Sequence, residues 1–231
     1  MTLPSRNGID CTMLLRNLRY LAWELKQSYW LAVLAFALMV FTYIAFFALH
    51  FSPRPEVHAQ SIDMLTQMSI VLIPLGACLL GYLITGGVFE KARRIFQIKQ
   101  QHFLFGALIR ISGVFLLLYS IEALIACLLV RDAISNILPL LFRAACVSMF
   151  YLSLIAIIDF VLHAPFIGLM ISLFLITGSY SAFFGWIQPP KWWMAFTTHL
   201  GPSYYSLVIF GAALFFIICL YACEHFPTNR R

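Results

Sequence analysis

Two ionisable side chains interrupt the long apolar runs of this chain and are its clearest candidates for chemistry. Glu122 lies eight residues before Val130, where one apolar run ends. Arg143 lies six residues after Ile137, near the start of the next run. A charge at the centre of a bilayer costs about 2.5–3.5 kcal/mol on insertion scales. We therefore predict that Glu122 and Arg143 pair across neighbouring helices, either as a structural ion pair or as part of a substrate path.

The sequence shows no other pattern typical of catalysis or metal binding. Its six histidines are scattered without an HExxH or similar spacing, and its six cysteines form no CxxC pair. No GxxxxGK[ST] phosphate-binding loop occurs, and no Ser/His/Asp set or pair of carboxylates is readable. We therefore expect no catalytic, metal or cofactor residue in this chain and do not expect it to be an enzyme.

The composition indicates a membrane protein. Of 231 residues, 62% are hydrophobic and only 10% are charged, whereas a soluble domain has about 25% charged residues. About 20 apolar residues span a bilayer as a helix, and an open sheet cannot satisfy its backbone in lipid. The sequence predicts one all-α membrane domain over residues 1–231, with six spans at 30–51, 64–89, 104–130, 133–158, 160–187 and 203–223.

The residues before the first span predict an amphipathic helix at 12–29. Leucines at 14, 18, 21 and 25 fall on one helical face, and Arg16, Arg19 and Lys26 fall on the other. A basic amphipathic helix beside a span is typical of the membrane interface. The alternative is that these residues extend the first spanning helix into water.

The distribution of Lys and Arg predicts that both termini are cytoplasmic. With the N-terminus inside, 11 basic residues lie on the inner side and 4 on the outer side, as the positive-inside rule requires. The same rule accounts for the net charge of +6, so nucleic acid is not expected as a partner. Glycines 76, 81 and 86 in the second span, and 178 and 185 in the fifth, would allow close helix approach and are candidates for a dimer seam.

Two connecting segments have distinctive compositions. The segment between the second and third spans, FEKARRIFQIKQQ from Phe89 to Gln101, mixes four basic residues with apolar ones. The segment before the last span, QPPKWWMAFTTHLGPSYYSL from Gln188 to Leu207, contains prolines that prevent one straight helix. Its tryptophans favour the headgroup boundary, so the sequence predicts a re-entrant or interfacial element at 188–202 on the outer face. The alternative is an ordinary aromatic-rich loop.

This arrangement resembles the ABC-2 type permeases, the membrane subunits of many ABC exporters. That family has an interfacial N-terminal helix, six spans and a cytoplasmic coupling helix between the second and third spans. FEKARR is similar to the family's usual Glu followed by basic residues. The family's Leu-Pro-x-Trp and Asn-Pro-Leu-x-Tyr motifs are matched in part, since Gly201 stands where Asn is usual and Ser203 where Leu is usual. The matching and neighbouring residues of this external element are Pro190, Trp192, Trp193, Pro202 and Tyr205.

The resemblance implies a permease in the bacterial inner membrane that exports a lipid, peptide or antibiotic. Because no nucleotide-binding loop is present, ATP and Mg²⁺ are expected on a partner ATPase, and this chain is expected to form a homodimer or heterodimer with a second permease. A coupling segment at 90–101 would then bind the ATPase, with a smaller second contact at Asp159. The docking residues within that segment are Glu90, Lys91, Arg93, Arg94, Ile95, Phe96 and Ile98.

Two other functions remain open from the sequence. The basic segment would also suit a non-catalytic assembly or anchoring subunit of a membrane complex, in which it sets topology and contacts anionic lipid. A membrane-embedded enzyme would need catalytic groups that converge at one depth. Its only candidates, Glu122 and Asp159, are expected on opposite sides of the bilayer.

Overall fold

The described part of the chain is all-helical, which confirms the predicted all-α class for that part; the six spans and the orientation of the termini stay predictions. The computed structural model describes residues 29–53, 61–86, 103–129, 134–162, 164–183 and 204–225, and the single residues 19, 22 and 26. Within these ranges there is no strand. The six helices are α1 (Tyr29–His50), α2 (Ser61–Thr85), α3 (Phe103–Leu129), α4 (Ile134–Leu162), α5 (Pro165–Phe183) and α6 (Tyr204–His225).

Three predicted elements lie wholly or mostly outside the described residues. The coupling segment at 90–101 and the external element at 188–202 are not described. In the predicted interfacial helix at 12–29, Arg19, Ala22, Lys26 and Tyr29 are described, and all four are helical and exposed. The interfacial position of that helix stays a prediction.

The boundary between α4 and α5 differs from the predicted one. The predicted spans divide at residue 159, whereas α4 continues to Leu162 and α5 begins at Pro165. Proline fits the first turn of a helix because its missing N–H has no intrahelical partner there. The residue before a proline also disfavours helical geometry, so the break falls immediately before Pro165. The Ile167 N–H then donates to the Ala164 carbonyl at 3.0 Å.

Consecutive helices run in opposite directions. The His50 Nδ1 atom at the end of α1 lies 3.2 Å from the Ser61 Oγ atom at the start of α2. Late in α3, the Tyr119 hydroxyl donates to the Leu141 carbonyl, early in α4, at 2.9 Å. The start of α3 meets the end of α6, where the rings of Phe105 and Tyr221 lie 5.1 Å apart. One end of the bundle therefore holds the starts of α1, α3 and α5 and the ends of α2, α4 and α6.

The chain segments that join the helices at that end are the basic ones. Residues 1–28, 86–102 and 226–231 contain ten of the fifteen Lys and Arg residues. The segments at the opposite end contain three, namely Arg54, Arg131 and Lys191. We call the first of these ends the basic end.

Helices α2 and α4 form the centre of the bundle. Helix α2 packs against α1, α3, α4 and α5, and α4 packs against α2, α3, α5 and α6. A Cβ atom added at Gly76 would lie 2.9 Å from the Ala35 carbonyl oxygen of α1. One added at Gly81 would lie 3.2 Å from the Ile155 Cδ1 atom of α4. These two glycines do allow close helix approach, but within one chain, because both are buried against its own helices rather than at a dimer seam.

The outward surfaces of the helices suit a lipid environment. Within the described residues, three helical stretches are long and apolar enough to cross a membrane, at Tyr29–His50, Phe105–Leu128 and Leu138–Leu162. Three shorter apolar helical stretches lie at Val71–Leu83, Phe166–Ser179 and Leu207–Ala222. Large apolar side chains such as Trp30, Val161 and Phe174 are exposed on the bundle surface. The chain is therefore compatible with membrane insertion.

Candidate functional site: a tyrosine–glutamate cluster between α1, α3 and α4

The two charged residues Glu122 and Arg143 lie on adjacent helices in the half of the bundle opposite the basic end. Arg143 is buried on α4. Glu122 is half-buried on α3, and its Oε2 atom is buried without a hydrogen-bond partner among the described residues. The predicted Glu122–Arg143 pair is therefore not made through this oxygen, and it otherwise stays a prediction.

Two tyrosines that the sequence analysis did not single out lie beside Glu122. Tyr43 of α1 and Tyr119 of α3 pack edge to face, with ring centroids 6.4 Å apart. Their hydroxyls face each other, but the buried Tyr43 hydroxyl completes no hydrogen bond with a described residue. The Glu122 carboxylate is close enough to both phenols to interact with them electrostatically. We call Tyr43, Tyr119 and Glu122 the Tyr–Glu cluster.

Helical periodicity places the cluster in the interior. The buried residues of α1 recur every three or four positions, and so do those of α3. This spacing is typical of a helix that packs one face against its neighbours. Glu122 falls three residues after Tyr119 and four before Ala126, so it continues the buried stripe of α3. The stripes are Ala32, Ala35, Met39, Tyr43 and Phe46 on α1, and Leu108, Ile111, Phe115, Tyr119 and Ala126 on α3.

One member of the cluster is held firmly in place. The Tyr119 hydroxyl donates to the Leu141 carbonyl of α4, and its ring stacks on Phe115 with centroids 6.0 Å apart. Tyr119 therefore ties α3 to α4 at the level of the cluster. From the sequence, only the i, i+3 spacing of Tyr119 and Glu122 could have indicated that these two side chains are neighbours. The contact of Tyr119 with Tyr43 of α1 depends on how the helices pack.

The cluster has the chemistry of a binding site. A polar atom buried without a partner loses its hydration and costs about 1–3 kcal/mol, so such atoms call for an explanation. Here the Glu122 Oε2 atom and the Tyr43 hydroxyl are two such groups on facing helices. Both can accept a hydrogen bond, and the rings of Tyr43 and Tyr119 are in contact beside them. Among the described residues, no group of three His, Cys, Asp or Glu side chains could hold a metal ion.

Most of the other predicted site residues lie outside the described part of the chain. All seven docking residues of the coupling segment lie outside the described residues, as do Pro190, Trp192, Trp193 and Pro202. Tyr205 lies in α6, with its side chain outside the description. Asp159 is 1% exposed near the end of α4. A soluble partner would contact its side chain only if the neighbouring helices moved, so its docking role stays a prediction.

Comparison of the chain with protein-family models, curated proteins and solved structures finds no match.

Proposed function

We propose that this chain is the transmembrane subunit of an ATP-driven exporter of the ABC-2 type. Its six helices span the bacterial inner membrane with both termini in the cytoplasm, and ATP hydrolysis occurs on a separate chain. Two such permease chains, identical or different, form the membrane unit. The substrate is hydrophobic or amphipathic, because the helices are rich in aromatic residues and almost free of charge.

The observation that carries this proposal is the basic segment between α2 and α3. Helix α2 ends at Thr85 and α3 begins at Phe103, so Phe89–Gln101 connects them at the basic end. Its basic residues favour the cytoplasmic side. Its apolar residues Ile95, Phe96 and Ile98 give a soluble partner something to bind, in the way that an amphipathic helix occupies a groove. The resemblance to coupling helices supports an ABC ATPase as that partner.

The packing of α2 offers a route from the coupling segment to the rest of the bundle. Gly76 brings α2 against α1, and Gly81 brings it against α4. Tightly packed interfaces shift as units rather than deform continuously. Movement of the coupling segment by the ATPase would therefore displace α2 together with α1 and α4. That rearrangement would change access to the half of the bundle that holds the Tyr–Glu cluster.

Co-purification tests the proposal. The tagged protein is solubilised with the soluble proteins encoded beside its gene, and captured proteins are identified by mass spectrometry. We expect the unaltered chain to capture an ABC ATPase. Replacing Glu90, Arg93 and Arg94 by Ala should abolish that capture. As a matched control, Arg16, Arg19 and Lys26 are replaced by Ala, which removes basic residues at the same end without touching the coupling segment.

The alternatives make different predictions in the same experiment. Capture of no ATPase by well-folded protein would favour an assembly or anchoring subunit, in which the basic segment contacts lipid headgroups. Equal loss of the ATPase in both triple variants would mean that basic charge in general, rather than the coupling segment, is recognised. The membrane-embedded enzyme is disfavoured by geometry, because Glu122 and Asp159 lie towards opposite ends of the bundle.

A further inference from the structure

We propose that the Tyr–Glu cluster binds the ammonium group of an amphipathic organic cation. The inference names a substrate class for the permease and in that sense rests on the proposed function. As a statement about binding, it depends only on the residues of the cluster.

The first argument is the set of hydrogen-bond acceptors. The Glu122 Oε2 atom and the Tyr43 hydroxyl are both buried without a partner among the described residues. They belong to neighbouring helices, α3 and α1, whose tyrosine rings are in contact. An ammonium group carries N–H donors and no acceptor, so its hydrogen-bonding groups match oxygens of this kind. A bond to a charged acceptor is also stronger than one between neutral groups.

The second argument is charge. A carboxylate in an apolar interior is stabilised by a positive charge and repels an anion. The Tyr119 ring meets the Tyr43 ring edge to face and stacks on the Phe115 ring, one turn earlier on α3. Aromatic faces attract an ammonium group through their quadrupole. A carboxylate combined with aromatic rings therefore favours an organic cation over an anion or a neutral alcohol of the same size.

The third argument is the route of entry. Glu122 is only half-buried, and on α3 the exposed side chains of Ile121 and Ile125 lie on the neighbouring part of the helix surface. Glu122 lies seven residues before Leu129, which places it about 10 Å from the end of α3. A membrane-dissolved amine keeps its head near the headgroups and its tail among the acyl chains. Such a molecule can present its ammonium group to the cluster while its tail contacts the apolar surface of α3.

Photo-crosslinking in lipid nanodiscs tests this inference on the full chain without an ATPase. The probe is dodecylamine carrying a diazirine next to the amine, and its N-acetylated form is the neutral control. We expect the amine to label peptides around Tyr43 and Glu122 at least tenfold more than the acetylated form. Glu122→Gln should lower that labelling at least tenfold, since it removes the charge and keeps the shape. Tyr151→Phe, at a buried tyrosine of α4 outside the Tyr–Glu cluster, should leave it unchanged.

Equal labelling by the neutral probe, unchanged labelling of Glu122→Gln, or no labelling near the cluster would overturn the inference. If Glu122→Gln does not fold, a second measurement uses the unaltered protein. Dicyclohexylcarbodiimide modifies protonated carboxyl groups in apolar surroundings, and mass spectrometry reports its reaction at Glu122. Dodecylamine should protect Glu122 at least tenfold more than dodecanol. Modification that dodecylamine does not prevent would show that a proton alone neutralises Glu122, which contradicts the proposal.

The two proposals fail separately. Amine binding without ATPase capture would retain the site and reject the exporter. ATPase capture without amine binding would retain the exporter and reject this substrate class.

Discussion

The close approach of α2 to α1 predicts a large difference between two chemically identical substitutions. Gly76→Ala adds a Cβ atom 2.9 Å from the Ala35 carbonyl oxygen, a backbone atom that cannot rotate away, and 3.7 Å from the Met39 side chain. Gly113→Ala adds a Cβ atom on α3 with nothing within 4 Å. Both changes replace glycine in the interior of a helix, so their effects on helix propensity are alike. Only Gly76→Ala meets a neighbouring helix and should force two helices apart.

The expected change in the free energy of unfolding follows from two opposing effects. Alanine favours the helix over glycine by about 1 kcal/mol at either position. Overpacking a well-packed interface costs about 1–3 kcal/mol. Gly113→Ala should therefore be neutral or stabilising by up to about 1 kcal/mol. Gly76→Ala should have a free energy of unfolding about 1–3 kcal/mol below that of Gly113→Ala, because the propensity gain cancels in the comparison.

Reversible unfolding of the two variants in mixed micelles, followed by circular dichroism over a titration with sodium dodecyl sulfate, gives this difference directly. Equal unfolding free energies, within about 0.5 kcal/mol, would refute the argument, because surface substitutions normally fall within that range. Such a result would mean that α1 and α2 are not packed at the distance described, and that α2 does not move α1 as one unit.

Two further predictions concern the helices around the Tyr–Glu cluster. Tyr119→Phe should lower the free energy of unfolding by about 0.5–1.5 kcal/mol, because it removes the hydrogen bond to Leu141. Tyr29→Phe, at the exposed start of α1, should change it little, and equal effects would contradict the tie between α3 and α4. In a double-mutant cycle, Glu122→Gln and Arg143→Gln should show a coupling energy of about 0.5–3 kcal/mol if the two charges pair, and such pairing would neutralise Glu122 and count against amine binding; additive effects would show that the predicted pair is wrong.

The helical content of the chain was predictable because it depends on composition and length. A chain with so few charges and such long apolar runs has no other way to satisfy its backbone in lipid. The positions of Glu122 and Arg143 within helices followed from the same runs. The boundary before Pro165 was predicted less closely: the predicted spans divided at residue 159, whereas the proline fixes the end of α4 and the start of α5.

What the sequence by itself determined is the kind of solvent, the number of apolar helices and the end at which the basic segments gather. These properties are sums over residues or depend on neighbours along the chain. Only the tertiary structure decided which buried residues meet. Gly76 could have faced another subunit, but the fold places it against Ala35. Tyr43 lies 76 positions from Tyr119 in the sequence, and no local pattern connects them. The packing of α1 beside α3 brings their side chains together and leaves the Tyr43 hydroxyl and the Glu122 carboxylate in one apolar interior.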